Sequence, residues 1–201
     1  MVLDACALVC GDGKDFRCEE SMAQNMEPGI VQRHLDWIDT ALAPAARWKI
    51  VVAHWPIFSF MGNGPSAVLE RELVPRMVKA GVQIYFSGHD HSLQHVQLKP
   101  SALTGIKAKV AALAAAQGRG GRHDHGVLAS RAPDFFVSGA GGYRLHPVLK
   151  QDADPAPNEH ADSVFAASTF GFATAVLSRG EFELEFIAAN GSRIYKVTRE
   201  A

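Results

Sequence analysis

The hydrophobic and polar positions of this chain fall into segments that predict alternating strands and helices. The first ten residues are apolar apart from Asp4 and predict a strand. Apolar residues recur at helical spacing over residues 30–43, which predicts an amphipathic helix that ends near Pro44. The apolar, largely β-branched run over residues 50–53 is typical of a strand that is buried on both faces.

A strand–helix–strand unit follows from the next segments. A second helix is predicted over residues 66–81, broken or restarted at Pro75, and a second strand over residues 82–87. Since such a unit has a right-handed crossover, the two strands are expected to be parallel neighbours. His54 follows the first strand and His89 follows the second. The C-terminal ends of parallel strands are where open α/β sheets bind ligands, so a site is expected there.

The second half of the chain changes character and then becomes regular again. Residues 98–132 are rich in Ala, Gly, Lys and Arg and predict a low-complexity insertion, with a helix around residues 107–116. The stretch DFFVSGAGGY predicts a strand that runs into a glycine turn, where the backbone passes close behind the site. Phe and Leu alternate with Glu over residues 181–186, and Asn190-Gly191 predicts a hairpin into the last strand.

Composition narrows the class of protein. The chain has 201 residues, 20% of them charged, and a net charge of −1, which suits one globular domain and argues against a nucleic-acid-coating protein. No apolar run approaches the roughly 20 residues of a membrane-spanning helix, so no membrane partner is expected. The three cysteines, Cys6, Cys10 and Cys18, form no CxxC pair, which disfavours a cysteine-based zinc site. A Cys10–Cys18 disulfide stays open.

Three histidines form the candidate site. His89 and His91 are two positions apart on a strand extension, so they point the same way, and His54 from the neighbouring strand completes the cluster. Imidazole nitrogen suits zinc, iron and manganese ions. The alternative is that these are turn or core histidines bonded to backbone groups, and spacing alone leaves both open. The letters HDH recur at His123–His125, but no strand precedes them and we interpret that segment as a solvated loop.

These motifs resemble those of a known family. The stretches VVAHWPIFS, YFSGHDHSLQHV and FFVSGAGGY resemble the calcineurin-like metallophosphoesterases, most of all the purple, tartrate-resistant type acid phosphatases. LVCGDGKDF is similar to the family's segment before the helix at residues 30–43. The resemblance implies an α/β fold, a metallophosphoesterase-type β-sandwich flanked by helices in four layers (α/β/β/α). Residues 1–201 would form the C-terminal part of that domain, so the fold would be incomplete at the N-terminus.

The resemblance also implies a function. It implies hydrolysis of phosphomonoesters, either small molecules or phosphoproteins, by a metal-bound hydroxide at a dinuclear site. His54 and His89 would hold one ion and His91 the other, with Fe paired with Fe, Zn or Mn. Asp90 would orient its neighbours without binding metal, and Trp55 would line the substrate channel.

Two departures from the family limit what can be carried over. The upstream motifs GDxG, GDxxY and GNH[DE] are absent, so this chain would carry only the three-histidine half of the site and hold at most one ion alone. Asn63 stands where the acid phosphatases usually place a histidine. It can contact the phosphate or leaving group, but it cannot transfer a proton near neutral pH. Val68 stands near a frequent cysteine position, so Cys10 is expected to lack that disulfide partner.

Several functions therefore remain in play. The chain is expected to be half of an acid phosphatase, a non-catalytic metal- or phosphate-binding homologue, or an interaction module. As half of a sandwich it would expose a strand edge and would pair with the missing N-terminal half or with itself. A nucleic-acid partner is not expected. Only the family resemblance bears on localisation, and it implies a secreted or lysosomal protein.

Overall fold

The computed structural model describes residues 1–11, 27–116, 132–149 and 158–201. Four helices lie in these ranges: α1 (Ala5–Cys10), α2 (Ile30–Leu42), α3 (Ala67–Ala80) and α4 (Pro100–Ala116). The strands are β1 (Val2–Leu3), β2 (Ile50–Ala53), β3 (Ile84–Ser87), β4 (Leu93–Leu98), β5 (Asp134–Ser138), β6 (Ala161–Ala167), β7 (Gly171–Leu177), β8 (Glu181–Ala188) and β9 (Arg193–Glu200).

The strands form two sheets. The larger sheet has the order β1-β2-β3-β5-β4-β6, in which β1, β2, β3 and β5 are parallel and β4 runs antiparallel to β5 and β6. The smaller sheet is an antiparallel meander, β7-β8-β9. The predicted parallel pairing of β2 with β3 and the predicted Asn190-Gly191 hairpin are both confirmed.

Two apolar cores fix the layers. All four helices pack on one face of the larger sheet, where Leu8, Ile38 and Leu73 are almost fully buried. The opposite face packs against β8, because its residues Phe182, Leu184 and Phe186 all point inward in strict alternation with glutamates. The described residues thus form three of the four predicted layers, helices, sheet and sheet, and the second helical layer is not among them.

Local signals place α3 as predicted, with one exception. The Ser66 side chain accepts from the backbone N–H of Leu69 and caps the helix, and Gly81 ends it in the left-handed conformation. Pro75 does not break the helix, which runs through it from Ala67 to Ala80. Val74 and Val78 are fully buried on either side of the proline, so packing offsets the lost backbone hydrogen bond.

Two other predicted elements differ from the structure. The expected N-terminal strand covers only Val2–Leu3, because the side chain of Asp4 accepts from the N–H of Cys6 and starts α1 there. The helix expected around residues 107–116 begins earlier, at Pro100, and so replaces part of the expected loose segment. Whether residues 98–132 are an insertion stays a prediction, and His123–His125 lie outside the described residues.

The cysteines divide into two kinds. Cys10 is disulfide-bonded, whereas Cys6 keeps a free thiol. The open Cys10–Cys18 pairing involves a residue outside the described ranges. Along the part of the chain that is described, no helix is both long and apolar enough to cross a membrane.

A buried polar cluster joins the two sheets. His95 Nε2 donates to Asp134 Oδ1 at 3.1 Å and its Nδ1 accepts from the Tyr195 hydroxyl at 2.6 Å, while the Arg199 guanidinium pairs with Asp134 Oδ2. Burial raises the pKa of Asp134, but the hydrogen bonds from His95, Gln97 and Arg199 and the Arg199 charge outweigh it and lower that pKa to about 2. Asp134 is therefore an ionised anchor between β5 and β9.

Candidate metal centre

His54 and His89 lie at the same edge of the larger sheet. β2 and β3 are parallel neighbours with Val52 opposite Phe86, so both strands end side by side. His54 follows β2 directly, and His89 follows β3 after Gly88. The N–H of Gly88 donates to the carbonyl oxygen of His54 at 3.0 Å and ties the two loops together. The structure places both histidines where the strand pattern predicts them.

The two imidazole rings face each other through nitrogen atoms. Nε2 of His54 lies 3.2 Å from Nδ1 of His89, and the rings are at 76° to each other. Two nitrogens that bind one tetrahedral zinc ion lie roughly 3.3 Å apart, given ~2.0–2.1 Å for each bond. The separation of the two rings therefore suits a single ion as well as it suits the hydrogen bond between them.

Trp55 packs against the ring of His89. The indole is 5% exposed, and its ring centroid lies 3.8 Å from that of His89. Its Nε1–H donates to the thiol sulfur of Cys6 at 3.2 Å, and its carbonyl oxygen accepts from the hydroxyl of Tyr85 at 2.7 Å. Trp55 is thus buried against His89, and its role as a channel wall stays a prediction.

His89 also has an unusual backbone. Its φ is +59°, a left-handed conformation that costs a non-glycine residue on the order of 1 kcal/mol or more. Asn63 and Asp90 hold the residue there: Asn63 Nδ2 lies 3.1 Å from His89 Nε2 and donates to Asp90 Oδ1 at 3.0 Å. The backbone N–H of Asn63 donates to the same oxygen at 3.1 Å. Asn63 is thus engaged with protein groups in this structure.

Asp90 is fully buried beneath this arrangement. Its Oδ1 accepts from Asn63, while its Oδ2 is a buried atom without a hydrogen-bond partner among the described residues. Gly139 passes directly behind it, since a Cβ on that glycine would lie 2.1 Å from the carbonyl oxygen of Asp90. The predicted close passage of the glycine turn is therefore confirmed, whereas the orienting role of Asp90 stays a prediction.

His91 is oriented by a different segment. Its Nδ1 lies 2.8 Å from the carbonyl oxygen of Arg144. A carbonyl only accepts, so Nδ1 carries the proton and Nε2 keeps its lone pair. A backbone carbonyl on one ring nitrogen is the usual way to fix a histidine that binds metal through the other. No hydrogen bond in the described part of the chain joins His91 to His54 or His89.

His146 lies directly beside His91, a contact that the sequence pattern does not predict. Its Nδ1 accepts from the backbone N–H of His91 at 3.1 Å, and the two rings stack with centroids 4.3 Å apart. It also covers Gly62, where a Cβ would lie 2.1 Å from that same nitrogen. His146 lies 55 residues from His91 in an irregular loop. No periodicity or motif spacing could have connected the two.

The segment that carries His146 joins the two halves of the site. The N–H of His146 donates to the carbonyl oxygen of His91 at 3.1 Å, and the N–H of Gly62 donates to that of Pro147 at 3.2 Å. The N–H of Leu149 donates to the carbonyl oxygen of Phe60 at 2.8 Å. Residues 144–149 thus hold the loop after β2 against the loop after β3.

Comparison with known proteins finds acid phosphatases. Over 97% of its length the chain is 27% identical to tartrate-resistant acid phosphatase type 5 of Oryctolagus cuniculus, of which it covers 50%. It superposes on purple acid phosphatase PPD1 from yellow lupin seeds with a TM-score of 0.58 and 17% identity, over 82% of this chain and 28% of that one. The chain is similar in sequence to tartrate-resistant acid phosphatases and similar in fold to a purple acid phosphatase.

The relationship to these acid phosphatases has a defined extent. The chain spans about half the length of the tartrate-resistant relatives that it matches, and the matched half is the C-terminal one. GAP50, described as the anchor in the inner membrane complex of Plasmodium, shares the fold with a TM-score of 0.61 and 18% identity, over 99% of this chain and 48% of that one. No protein-family model matches the chain. The metallophosphoesterase-type α/β fold is confirmed.

The donor set fits a metal only in part. Within the described ranges, no group of three His, Cys, Asp or Glu side chains is arranged to hold an ion. The structure brings His54 and His89 together as a pair of nitrogen donors and keeps His91 apart with its own free Nε2. Such donors suit a transition metal, provided that further ligands complete each ion's coordination.

Proposed function

We propose that this chain contributes the histidine half of a metal-dependent phosphomonoesterase site. The observation that carries the proposal is the 3.2 Å approach of His54 Nε2 to His89 Nδ1 at the ends of two parallel strands. His54 and His89 would hold one ion, and His91 a second through Nε2. Similarity to acid phosphatases supports phosphoester hydrolysis as the reaction class.

The protein side of this chemistry is orientation. Bound metal would supply positive charge against a phosphoryl group and an acidic water molecule. Asn63 and Asp90 hold the His89 ring, and the carbonyl of Arg144 fixes the tautomer of His91. These contacts would set the direction of the ligand nitrogens of His89 and His91 before metal arrives, which would reduce the ordering cost of binding.

The missing carboxylate ligands are part of the proposal. A bridged pair of ions needs a carboxylate between them, and the site's described acidic group, Asp90, is buried behind the histidines. The other half of the domain would supply such ligands, and the two ions would be Fe paired with Fe, Zn or Mn. The chain alone would hold at most one ion, and its substrates would be phosphomonoesters of small molecules or of proteins.

A metal analysis combined with an activity assay tests this proposal. The chain is incubated with Zn²⁺, and bound metal and hydrolysis of an aryl phosphate are measured for wild type, His89→Ala and His91→Ala. We expect metal uptake by the wild type and its reduction in His89→Ala. A chain that takes up no transition metal from excess would overturn the assignment of these histidines.

A non-catalytic metal- or phosphate-binding role is the second candidate. The observation that favours it is the absence, within the described ranges, of any three-ligand group, together with the engagement of Asn63 by Asp90 and His89. The assay distinguishes the two candidates when the sequence that completes the domain is present. Metal and phosphate binding without turnover in that longer protein would favour the second.

A further inference from the structure

The ring of His146 has a defined tautomer. Its Nδ1 receives the backbone N–H of His91 at 3.1 Å and lies 3.5 Å from Asp90 Oδ1. A backbone N–H can only donate, so Nδ1 must offer its lone pair, and the proton of the neutral ring sits on Nε2. The approach to Asp90 is therefore not a hydrogen bond from Nδ1.

The other ring nitrogen faces outward. Nε2 of His146 is not among the buried side-chain atoms that lack a partner, and no hydrogen bond within the described ranges engages it. The side chain retains 14% exposure. His146 thus presents a fixed N–H donor to solvent beside His91.

The surroundings of that donor suit an anion. With ring centroids 4.3 Å apart, His146 is within reach of any oxyanion held at His91. The exposed guanidinium of Arg144 belongs to the same loop and lies 5.8 Å from the ring of Tyr143. The amide of Asn63 is bonded to Asp90 and close to His89, so it does not offer the same free donor.

We propose that His146 is a phosphate-binding residue of this site, which donates its Nε2–H to a phosphoryl oxygen held beside His91. The inference rests on the proposed function, since it places phosphate at that site, and adds a binding residue from a loop outside the histidine motifs. The ring position is set by the stack on His91 and the close fit over Gly62. Preorganised donors of this kind bind an anion without a reordering cost.

The variant His146→Asn distinguishes the role of Nδ1 from that of Nε2. The side-chain oxygen of asparagine can accept the N–H of His91 in place of Nδ1, but the shorter side chain removes the donor at the Nε2 position. His160→Asn, which removes a histidine paired with Glu70 elsewhere, is the matched control. Each protein is loaded with Zn²⁺, its metal content is measured, and inorganic phosphate is titrated by calorimetry.

We expect His146→Asn to keep wild-type zinc uptake and to bind phosphate about tenfold more weakly or worse, as befits one charge-assisted hydrogen bond. Equal phosphate affinity with zinc uptake intact would overturn the role of His146 and leave the proposed function standing. A wild-type chain that takes up neither zinc nor phosphate would overturn both. ¹⁵N spectra add a test independent of metal: a proton on Nδ1 of His146 would contradict the assigned tautomer.

Discussion

Nε2 of His54 lies 3.2 Å from Nδ1 of His89, although 35 residues separate the two histidines along the chain. The parallel register of β2 and β3 produces this proximity, because both strands end at the same edge of the sheet. The bond from the N–H of Gly88 to the carbonyl of His54 then closes the two loops on each other. The pairing is thus a consequence of backbone topology, which the side chains of Asn63 and Trp55 refine.

Asp90 accepts a hydrogen bond from the Asn63 amide, which lies against the ring of His89. We expect Asp90→Ala to lower zinc affinity by roughly 10–100-fold, because the loss of Oδ1 frees the Asn63 amide that lies against His89. Competition titration against a zinc chelator measures the effect. Asp162→Ala, an exposed carboxylate on β6, is the control. Wild-type affinity in Asp90→Ala would show that the carboxylate does not orient the ligand.

Gly139 is required by the backbone behind Asp90. A methyl group there would lie 2.1 Å from the carbonyl oxygen of Asp90, so we expect Gly139→Ala to lower the free energy of unfolding by about 1–3 kcal/mol. Gly141→Ala in the same turn, where a Cβ meets nothing within 4 Å, is expected to change stability little. Urea denaturation of both variants checks this, and equal stabilities would contradict the close passage.

The sequence indicates the sheet edge but not the whole site. The placement of His54 and His89 at that edge could be predicted, because both follow strands whose apolar pattern is strong and local. His146 could not, since its contact with His91 spans 55 residues and depends on how an irregular loop folds back. Pairing of this kind is decided by tertiary packing, which leaves no periodic signal.

The polar cluster between the sheets was missed for the same reason. Asp134 and Arg199 are 65 residues apart, and His95 is 39 residues from Asp134, in strands that belong to different parts of the chain. The sequence shows His95 only as a histidine within an apolar strand, for which packing or surface exposure are the ordinary expectations. Pro75 shows that a strong local signal can also mislead. It predicts a break in α3, but the helix continues through it because its apolar face is buried.

Trp55 is expected to stabilise the fold and the His89 ring together. Trp55→Ala should lower the free energy of unfolding by about 3–5 kcal/mol, because it removes a large buried ring. Trp55→Phe retains an aromatic ring against His89 and should cost less. Trp37→Ala, which alters an indole that is 45% exposed, is the control. If Trp55→Ala cost no more than the control in urea denaturation, the supporting role would be wrong.

The lowered pKa of Asp134 predicts how the free energy of unfolding changes in acid. Its pKa is about 2 in the folded protein against 3.8 for the unfolded group, so the ionised form stabilises the fold above about pH 4. That contribution, about 2 kcal/mol, is lost progressively as the pH falls from about 4 to about 2. Urea midpoints measured across this window should fall as the pH is lowered.

The variant Asp134→Asn isolates this group. Its stability should be lower at neutral pH, because Arg199 is then buried without its charged partner, and should lose less between pH 4 and 2 than that of the wild type. The exposed carboxylate variant Asp162→Asn should keep the wild-type slope. An Asp134→Asn profile parallel to the wild type would contradict the assignment.

Zinc titration of the chain tests whether His54 and His89 bind one metal ion together. His54→Ala and His89→Ala are compared with the wild type and with His34→Ala, a histidine on α2 that stacks on Trp37. We predict that the wild type and His34→Ala bind zinc alike. Each of the other two variants should lose at least about tenfold in affinity, since each removes a nitrogen ligand. Equal zinc affinity in all four proteins would contradict the claim.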